Sequence, residues 1–146
     1  MARPAMSDMW LYQMSETQWP AGQFRATVWE GSTVSWPTGN VRSSDRPEPG
    51  DRLLCWYART GASLPGVVGW GVVLGYSPER TEILWRPAPP TDALKMHPLF
   101  DDEIVDRVEG VRGRFRQATM WQMSRADASW FCDRVSGWFG REPDAG

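Results

Sequence analysis

The side chains with the clearest chemical potential in this 146-residue chain are aromatic and basic. Ten are tryptophans, and fifteen of the sixteen cations are arginines, which bind phosphate and stack on rings better than lysine but are also common in GC-rich genomes. Trp36 opens a stretch, residues 37–49, that is rich in Pro, Gly, Ser and Arg and is typical of a long loop. A few aromatic rings with an amide or hydroxyl can hold one flipped-out base, and each stacked base is worth about 1–3 kcal/mol.

Acidic and basic residues separate in the last third of the chain. Residues 101–109 hold five acids and one arginine, whereas residues 111–125 hold four arginines and no acid. Arg112, Arg114 and Arg116 alternate, so in an extended segment they would share one face and could bind a phosphate backbone. The alternative is an ordinary surface strand whose charges are screened by solvent. The net charge of −2 means that any attraction to nucleic acid must come from such a local patch.

Catalytic chemistry has few candidate residues. His97 is the only histidine, so a Ser–His–Asp or Cys–His unit would have a single possible base. The acidic run over residues 101–103 could bind a metal, but such runs more often form the solvated first turn of a helix. Cys55 and Cys132 cannot complete a four-ligand zinc site with one histidine, and they suit free thiols in a reducing cytosol. We therefore expect no enzyme activity, no metal and no cofactor.

The elements that must position these residues follow from hydrophobic periodicity and turn signals. Six strands are predicted, over residues 9–14, 33–36, 51–58, 66–76, 80–86 and 111–123. Residues 15–27 and 98–108 are candidate short helices. Ser124, with Asp127 three residues later, marks the start of a C-terminal helix whose apolar stripe we expect to pack on the sheet. The pattern indicates an α+β fold: a curled sheet or barrel of five to six strands with a C-terminal capping helix and one or two short helices.

The fourth predicted strand, over residues 66–76, has one large face and one nearly bare face. The large face is expected to carry Val68, Trp70, Val72, Leu74 and Tyr76. The other face alternates valine with Gly69, Gly71 and Gly75. Because glycine inside a strand marks a bulge, a bend or a close approach, we expect this strand to be strongly bent.

The chain length fits a single domain, which we place at residues 9–140, after a flexible leader over residues 1–8 and before a flexible tail over residues 141–146. The leader lacks the apolar run of a signal peptide, and no stretch approaches the ~18 apolar residues of a membrane span. We expect a cytoplasmic protein without a membrane partner.

Several segments together resemble the EVE domain, a PUA-like family related to YTH and ASCH domains. SW precedes the long loop, and PGDRLLCWYARTG and LPGVVGWGVVLGY follow it. MWLYQM resembles the family's first strand, and RFRQATMWQMS resembles its Arg/Gln segment before the last helix. The resemblance covers roughly residues 9–139. It implies a PUA-like barrel that recognises a modified base in DNA or RNA, with a separate nuclease or other effector as a further partner.

The resemblance also implies which residues form the base pocket. Trp36 takes the place of the family's cage tryptophan. Polar neighbours are candidates to read the edge of the base: Ser35, Thr38 and Asn40. Three more aromatic residues are candidate pocket walls, although each also suits the core: Trp10, Tyr57 and Trp70. Arg114 and Gln117 match the segment that lies near the nucleic-acid backbone in relatives, and Arg112 and Arg116 extend it.

Two other functions remain open for the same fold. An ASCH-like small amidohydrolase would use a lysine with a hydroxyl residue and a carboxylate, but Lys95 is the only lysine and lies in a proline-flanked connection. A protein-interaction domain would have a filled or hydrophobic pocket and no basic strip. An open cleft beside Trp36 with arginine at its rim would favour base recognition over both.

Overall fold

The computed structural model describes residues 9–15, 32–42, 46–58, 66–87, 102–114 and 118–139. The strands are β1 Met9–Ser15, β2 Ser32–Pro37, β3 Val41–Arg42, β4 Arg52–Ala58, β5 Gly66–Tyr76, β6 Arg80–Pro87 and β7 Met120–Gln122. The helices are α1 Asp102–Arg112 and α2 Arg125–Phe139. The predicted leader, the tail and residues 16–27 of the first candidate helix lie outside the described residues. In the described part of the chain, neither helix has the length and apolarity needed to cross a membrane.

The seven strands form one mixed sheet in the order β2-β6-β5-β4-β1-β7-β3. Strands β1 and β4 pair in parallel, as do β3 and β7, whereas the other neighbours are antiparallel. With two helices beside it, this sheet confirms the α+β class. The prediction of five to six strands was too low, because the two-residue strand β3 lies within the stretch that its Pro and Gly content had indicated to be a loop.

The sheet is strongly curled, and chain connectivity requires it. Its edge strands β2 and β3 are joined by residues 38–40 alone. A flat sheet of seven strands about 4.8 Å apart would separate its edges by about 29 Å. The four residue steps from Pro37 to Val41 reach about 14 Å at most. The two edges therefore approach each other at this end, but no ladder between them closes the described sheet into a barrel.

Both faces of the sheet carry buried residues. Alternation along β1 sends Met9 and Leu11 to the face covered by the helices, where Phe131 of α2 also packs. Trp10 and Tyr12 point to the opposite face, inside the curl. We call the buried residues inside the curl the inner cluster: Trp10, Tyr12, Trp36, Leu53, Cys55, Tyr57, Val68, Val73, Ile83, Trp85 and Met120. The predicted packing of the C-terminal helix on the sheet is confirmed.

Strand β5 bends through two irregularities, which overturn its predicted single large face. Its register against β4 shifts between Cys55 and Trp56, so Val68 joins the inner cluster while Trp70 lies under the helices. The register against β6 shifts between Val73 and Gly75, so that Leu74 between them has no partner in the ladder and is 43% exposed. A bulge inserts one residue and reverses the alternation beyond it. The glycines had correctly indicated the bend but not which side chains it separates.

Residues 111–123 do not form the predicted long strand. Val111 and Arg112 complete the last turn of α1, and Gly113, at φ +53°, ends the helix by donating its N–H to the Glu109 carbonyl at 2.9 Å. This is the left-handed helix cap that glycine favours. Only Met120–Gln122 is a strand. The apolar spacing of Ile104 and Val108 against the core holds the preceding residues helical.

The two helices are joined by contacts around Trp130 of α2. The guanidinium of Arg107 lies 4.7 Å from the Trp130 ring centre, and that of Arg134 lies 5.0 Å from it. Each arginine also pairs with a carboxylate on the other helix, Arg107 with Asp127 at 3.2 Å and Arg134 with Glu103 at 2.9 Å. These contacts join the two helices to each other on the outer face of the sheet, opposite the inner cluster.

Candidate functional site

A cleft of about 330 Å³ opens where β1, the end of β2 and the segment before β7 meet. This volume lies at the lower end of the range for small-ligand sites. Seven residues line it: Tyr12, Gln13, Met14, Trp36, Pro37, Gly39 and Thr119. The cleft therefore occupies the place where the two edges of the curled sheet approach each other.

The floor of the cleft is a rigid aromatic group. The ring centres of Tyr12 and Trp36 are 5.7 Å apart, and Trp36 packs on Trp85 at 5.0 Å. The Tyr12 hydroxyl donates a hydrogen bond to the carbonyl of Pro37 at 2.5 Å. Burial raises the pKa of Tyr12 well above its ordinary value, the nearby Cys55 raises it further, and the positive charge of Arg80 opposes both. Tyr12 is therefore a neutral donor that ties β1 to the end of β2.

One wall of the cleft depends on a glycine. Gly39 has φ +66°, and a Cβ added there would lie 2.1 Å from Oγ1 of Thr119. Thr119 is held in place from both sides, because its carbonyl accepts the N–H of Gln13 at 2.8 Å and its N–H donates to the Asn40 carbonyl at 2.9 Å. Apart from Tyr12, the lining residues with polar side chains are Thr119, whose hydroxyl lies against Gly39, and Gln13, whose amide oxygen is buried.

Thr38, expected to read the base edge, instead anchors the connector between β2 and β3. Its side chain is buried, and its hydroxyl donates to the Ser77 carbonyl at 2.7 Å. The Thr81 hydroxyl lies 2.7 Å from the same oxygen and supplies the complementary bond. The Thr38 N–H donates to the Glu79 carbonyl at 3.1 Å. These bonds occupy the hydroxyl with the β5–β6 turn, so it does not face the cleft.

Ser35 and Asn40 are exposed on either side of Trp36 and the connector. The Ser35 hydroxyl accepts a hydrogen bond from Nε of Arg80 at 2.9 Å. The Asn40 backbone carbonyl accepts the N–H groups of Thr119 and Met120. Both residues thus stabilise the surroundings of the cleft, and neither is among its lining residues.

Of the four aromatic residues expected in the pocket, the cleft includes Trp36 alone. Trp10 and Tyr57 are fully buried in the inner cluster, and Nε1 of Trp10 donates to the Asp51 carboxylate at 3.1 Å. Trp70 lies on the other face of the sheet, beneath the helices. The prediction that these three form pocket walls was wrong, because alternation and the β5 bulge direct them into the core.

The predicted basic strip is not an extended face. Arg112 is largely buried in the last turn of α1, 3.5 Å from the Glu109 carboxylate. Arg114 is exposed just beyond the helix. Arg116 and Gln117 lie outside the described residues, so their predicted role in backbone binding remains a prediction.

Trp36 was predicted from the sequence, whereas the other six lining residues were missed: Tyr12, Gln13 and Met14 of β1 together with Pro37, Gly39 and Thr119. The alternation that selected Trp10 also places Tyr12 and Met14 on the same face, so a signal for two of them was present in MWLYQM. The alternation does not indicate which end of the strand is exposed to solvent. Burial increases towards Met9 and Trp10, whereas Gln13, Met14 and Ser15 are only partly buried.

No metal-binding group is apparent at the cleft or elsewhere in the described residues, where no three His, Cys, Asp or Glu side chains gather to hold an ion. Cys55 and Cys132 are both free thiols, and burial raises the pKa of the Cys55 thiol. His97 and Lys95, the candidate catalytic residues, lie outside the described part of the chain.

No protein-family model and no curated protein matches this chain. A solved structure of a hypothetical protein from Leishmania major is similar in fold, with a TM-score of 0.59 at 14% sequence identity. The match covers 93% of this chain and 99% of that chain. At this identity the likeness concerns the fold alone, which the two chains share over nearly their whole lengths.

Proposed function

We propose that this protein is a nucleic-acid-binding module that holds a single flipped-out base, in modified form, in the cleft beside Trp36. The sheet that carries the cleft is then of the PUA-like, EVE-related kind, and the protein acts in the cytoplasm on DNA or RNA. The observation that carries the proposal is the cleft itself, whose lining combines the aromatic residues Tyr12 and Trp36 with the polar residues Gln13 and Thr119.

The chemistry of the lining suits a neutral planar ring. None of the described lining residues carries a charge, so the cleft offers no partner for an inserted ion. Aromatic side chains stack on any base, while a hydroxyl such as that of Thr119 can pair with the polar edge of one base and leave another unsatisfied. Met14 and Pro37 add apolar surface against which a methyl substituent on the base would pack.

The open cleft also favours base binding over the alternative of a protein-interaction domain. That alternative predicts a filled or hydrophobic pocket and no basic strip on the same sheet. The strip does not favour base binding, because Arg112 lies buried in α1 and Arg116 lies outside the described residues. The cleft is open, and two of its seven lining residues have hydrogen-bonding side chains in addition to Tyr12. We therefore propose binding without catalysis, with any strand cleavage supplied by a separate nuclease or effector protein.

Binding to labelled single-stranded DNA and RNA of about ten nucleotides tests this function. Each oligonucleotide carries one unmodified, methylated or hydroxymethylated base, and fluorescence anisotropy gives the affinity. We expect Trp36→Leu to weaken binding to the preferred oligonucleotide by about 1–3 kcal/mol, because one stacking ring is lost. Leucine is chosen since alanine would leave a large cavity next to Trp85.

Trp130→Leu is the matched control, because it removes the same ring from the helix side of the sheet. It should leave affinity unchanged, provided that circular dichroism shows both variants folded at the assay temperature. Absence of binding to every oligonucleotide, or equal binding by wild type and a folded Trp36→Leu variant, would refute the proposed function.

A further inference from the structure

Arg80 occupies a defined position next to the cleft. It is the first residue of β6, and it pairs with Pro37, a cleft-lining residue at the end of the neighbouring strand β2. Its backbone is fixed by the β5–β6 turn, where its N–H donates to Oγ of Ser77 at 3.0 Å and its carbonyl accepts the Ser77 N–H at 2.9 Å. The Thr38 hydroxyl donates to the Ser77 carbonyl of the same turn, so a hydrogen bond connects this turn to the segment between β2 and β3.

The guanidinium of Arg80 is exposed, and neutral oxygens hold it. Its Nε donates to Oγ of Ser35 at 2.9 Å, and one terminal nitrogen donates to the Ser35 carbonyl. Within the described residues no carboxylate pairs with it. Glu82, which faces Ser35 in the register, has a carboxylate oxygen directed towards Gly75 on β5. The structure therefore positions this cation without neutralising it.

The charge of Arg80 reaches the cleft. It acts electrostatically on the Tyr12 hydroxyl at the cleft floor, where it lowers the pKa that burial raises. Ser35 occupies only two of the five N–H groups of a guanidinium, which leaves donors for two oxygens of an anion. An anion bound there would lie beside Ser35, at the end of β2 that also carries the lining residues Trp36 and Pro37.

We propose that Arg80 binds the phosphate attached to the base in the cleft, so that the site recognises one whole nucleotide. This inference rests on the proposed function, and it adds a phosphate subsite at the β5–β6 turn to a cleft that is itself uncharged. Ser35 is then a positioning residue, since it orients the guanidinium and does not contact the base.

The salt dependence of binding separates a phosphate contact from a merely structural arginine. For single strands, each neutralised phosphate contributes about −0.7 to the slope of log affinity against log salt. We expect Arg80→Gln to make this slope shallower by about 0.7 and to weaken binding roughly tenfold at low salt, whereas Arg80→Lys keeps the slope. The probe is the labelled single-stranded oligonucleotide that wild type binds best.

Arg125→Gln is the matched control, because it removes the same charge from an exposed position at the start of α2. It should keep both slope and affinity. Ser35→Ala tests the positioning role: the charge remains, so the slope is unchanged, while affinity falls about two- to fivefold because the guanidinium is less ordered.

The outcomes distinguish this inference from the proposed function. If Arg80→Gln and Arg125→Gln have the same slope as wild type while Trp36→Leu still loses affinity, base binding stands and the Arg80 subsite is refuted. If wild type binds no oligonucleotide, both proposals fail. Because Arg80 is exposed, thermal melting of Arg80→Gln should match that of wild type, and Arg80→Glu gives a second variant with a larger expected loss.

Discussion

Gly39 shows how a single residue shapes the cleft. Its backbone takes a left-handed conformation and lies against Thr119 so closely that any Cβ would overlap the threonine side chain. Both effects act on the wall that presents the Thr119 hydroxyl. Glycine is therefore required here for two separate reasons, conformation and space.

We predict that Gly39→Ala lowers the free energy of unfolding by about 1–3 kcal/mol and also weakens oligonucleotide binding, because strain and displacement of Thr119 distort the cleft. Urea unfolding measures the first effect and anisotropy the second. Gly110→Ala is the control: it lies in α1 with open space around its Cβ position, so alanine should stabilise the helix slightly. Equal effects of the two substitutions would contradict this account of Gly39.

At the scale of elements, the connector between β2 and β3 decides where the cleft forms. Thr38 is buried and joins this connector to the β5–β6 turn through its hydroxyl and its N–H. The β5–β6 turn also holds the backbone of Arg80, whose N–H donates to Oγ of Ser77. The cleft wall and the proposed phosphate subsite thus share one hydrogen-bonded support.

We predict that Thr38→Val destabilises the protein by about 1–3 kcal/mol, because valine keeps the shape but leaves the Ser77 carbonyl and the buried Thr81 hydroxyl without this partner. Thr33→Val in the adjoining strand β2 is the control, since Thr33 is exposed. Chemical denaturation followed by tryptophan fluorescence gives both values. A Thr38→Val variant as stable as Thr33→Val would show that the connector is held by other contacts.

The segment over residues 111–123 illustrates why one element was misassigned. Alternation of Arg112, Arg114 and Arg116 fits a strand, but Val111 and Arg112 also continue the helical spacing that begins before them. Burial of Ile104 and Val108 against the sheet decides in favour of the helix, and Gly113 ends it. A short alternating run therefore cannot outweigh a packed helix that precedes it.

At the scale of the whole molecule, folding buries side chains that ionise at alkaline pH. Burial raises the pKa of Tyr12 and of Cys55, both in the inner cluster. In the unfolded chain these groups ionise near their ordinary values, about 10 for tyrosine and 8.5 for cysteine. The folded state therefore retains protons that the unfolded state releases.

We predict that stability is at its full value below about pH 8.5 and falls as the pH rises above it, by up to about 1.4 kcal/mol per pH unit for each group. The sign follows because proton loss favours the unfolded chain. In Cys55→Ala the decline should begin only above about pH 10, whereas Cys132→Ala should behave like wild type. Urea unfolding at a series of pH values measures the free energy of unfolding. A decline in this free energy that is unaffected by Cys55→Ala would contradict the prediction.

Much of the fold could be predicted from local patterns. Residue alternation located six of the seven strands at least in part, and the Ser124 cap, whose hydroxyl accepts the Asp127 N–H at 3.1 Å, located the start of α2. Part of the candidate site was also accessible, since Trp36 was identified and Tyr12 and Met14 share the face of Trp10. These features depend on residues close together in sequence, whose spacing directly sets which side chains are neighbours.

The amino-acid sequence by itself determined the α+β class, the packing of the C-terminal helix and the bend of the glycine-rich strand. Only the tertiary structure decided that Trp10, Tyr57 and Trp70 lie wholly in the core, while Trp36, which is 7% exposed and also packs in the inner cluster, lines a cleft. The reason is that β2 and β3, joined by residues 38–40, lie at opposite edges of the sheet order, so the curl brings Thr119 to Gly39, while the pairing of β6 with β2 places Arg80 beside Pro37. Such long-range contacts follow from strand order and register, which periodicity does not encode.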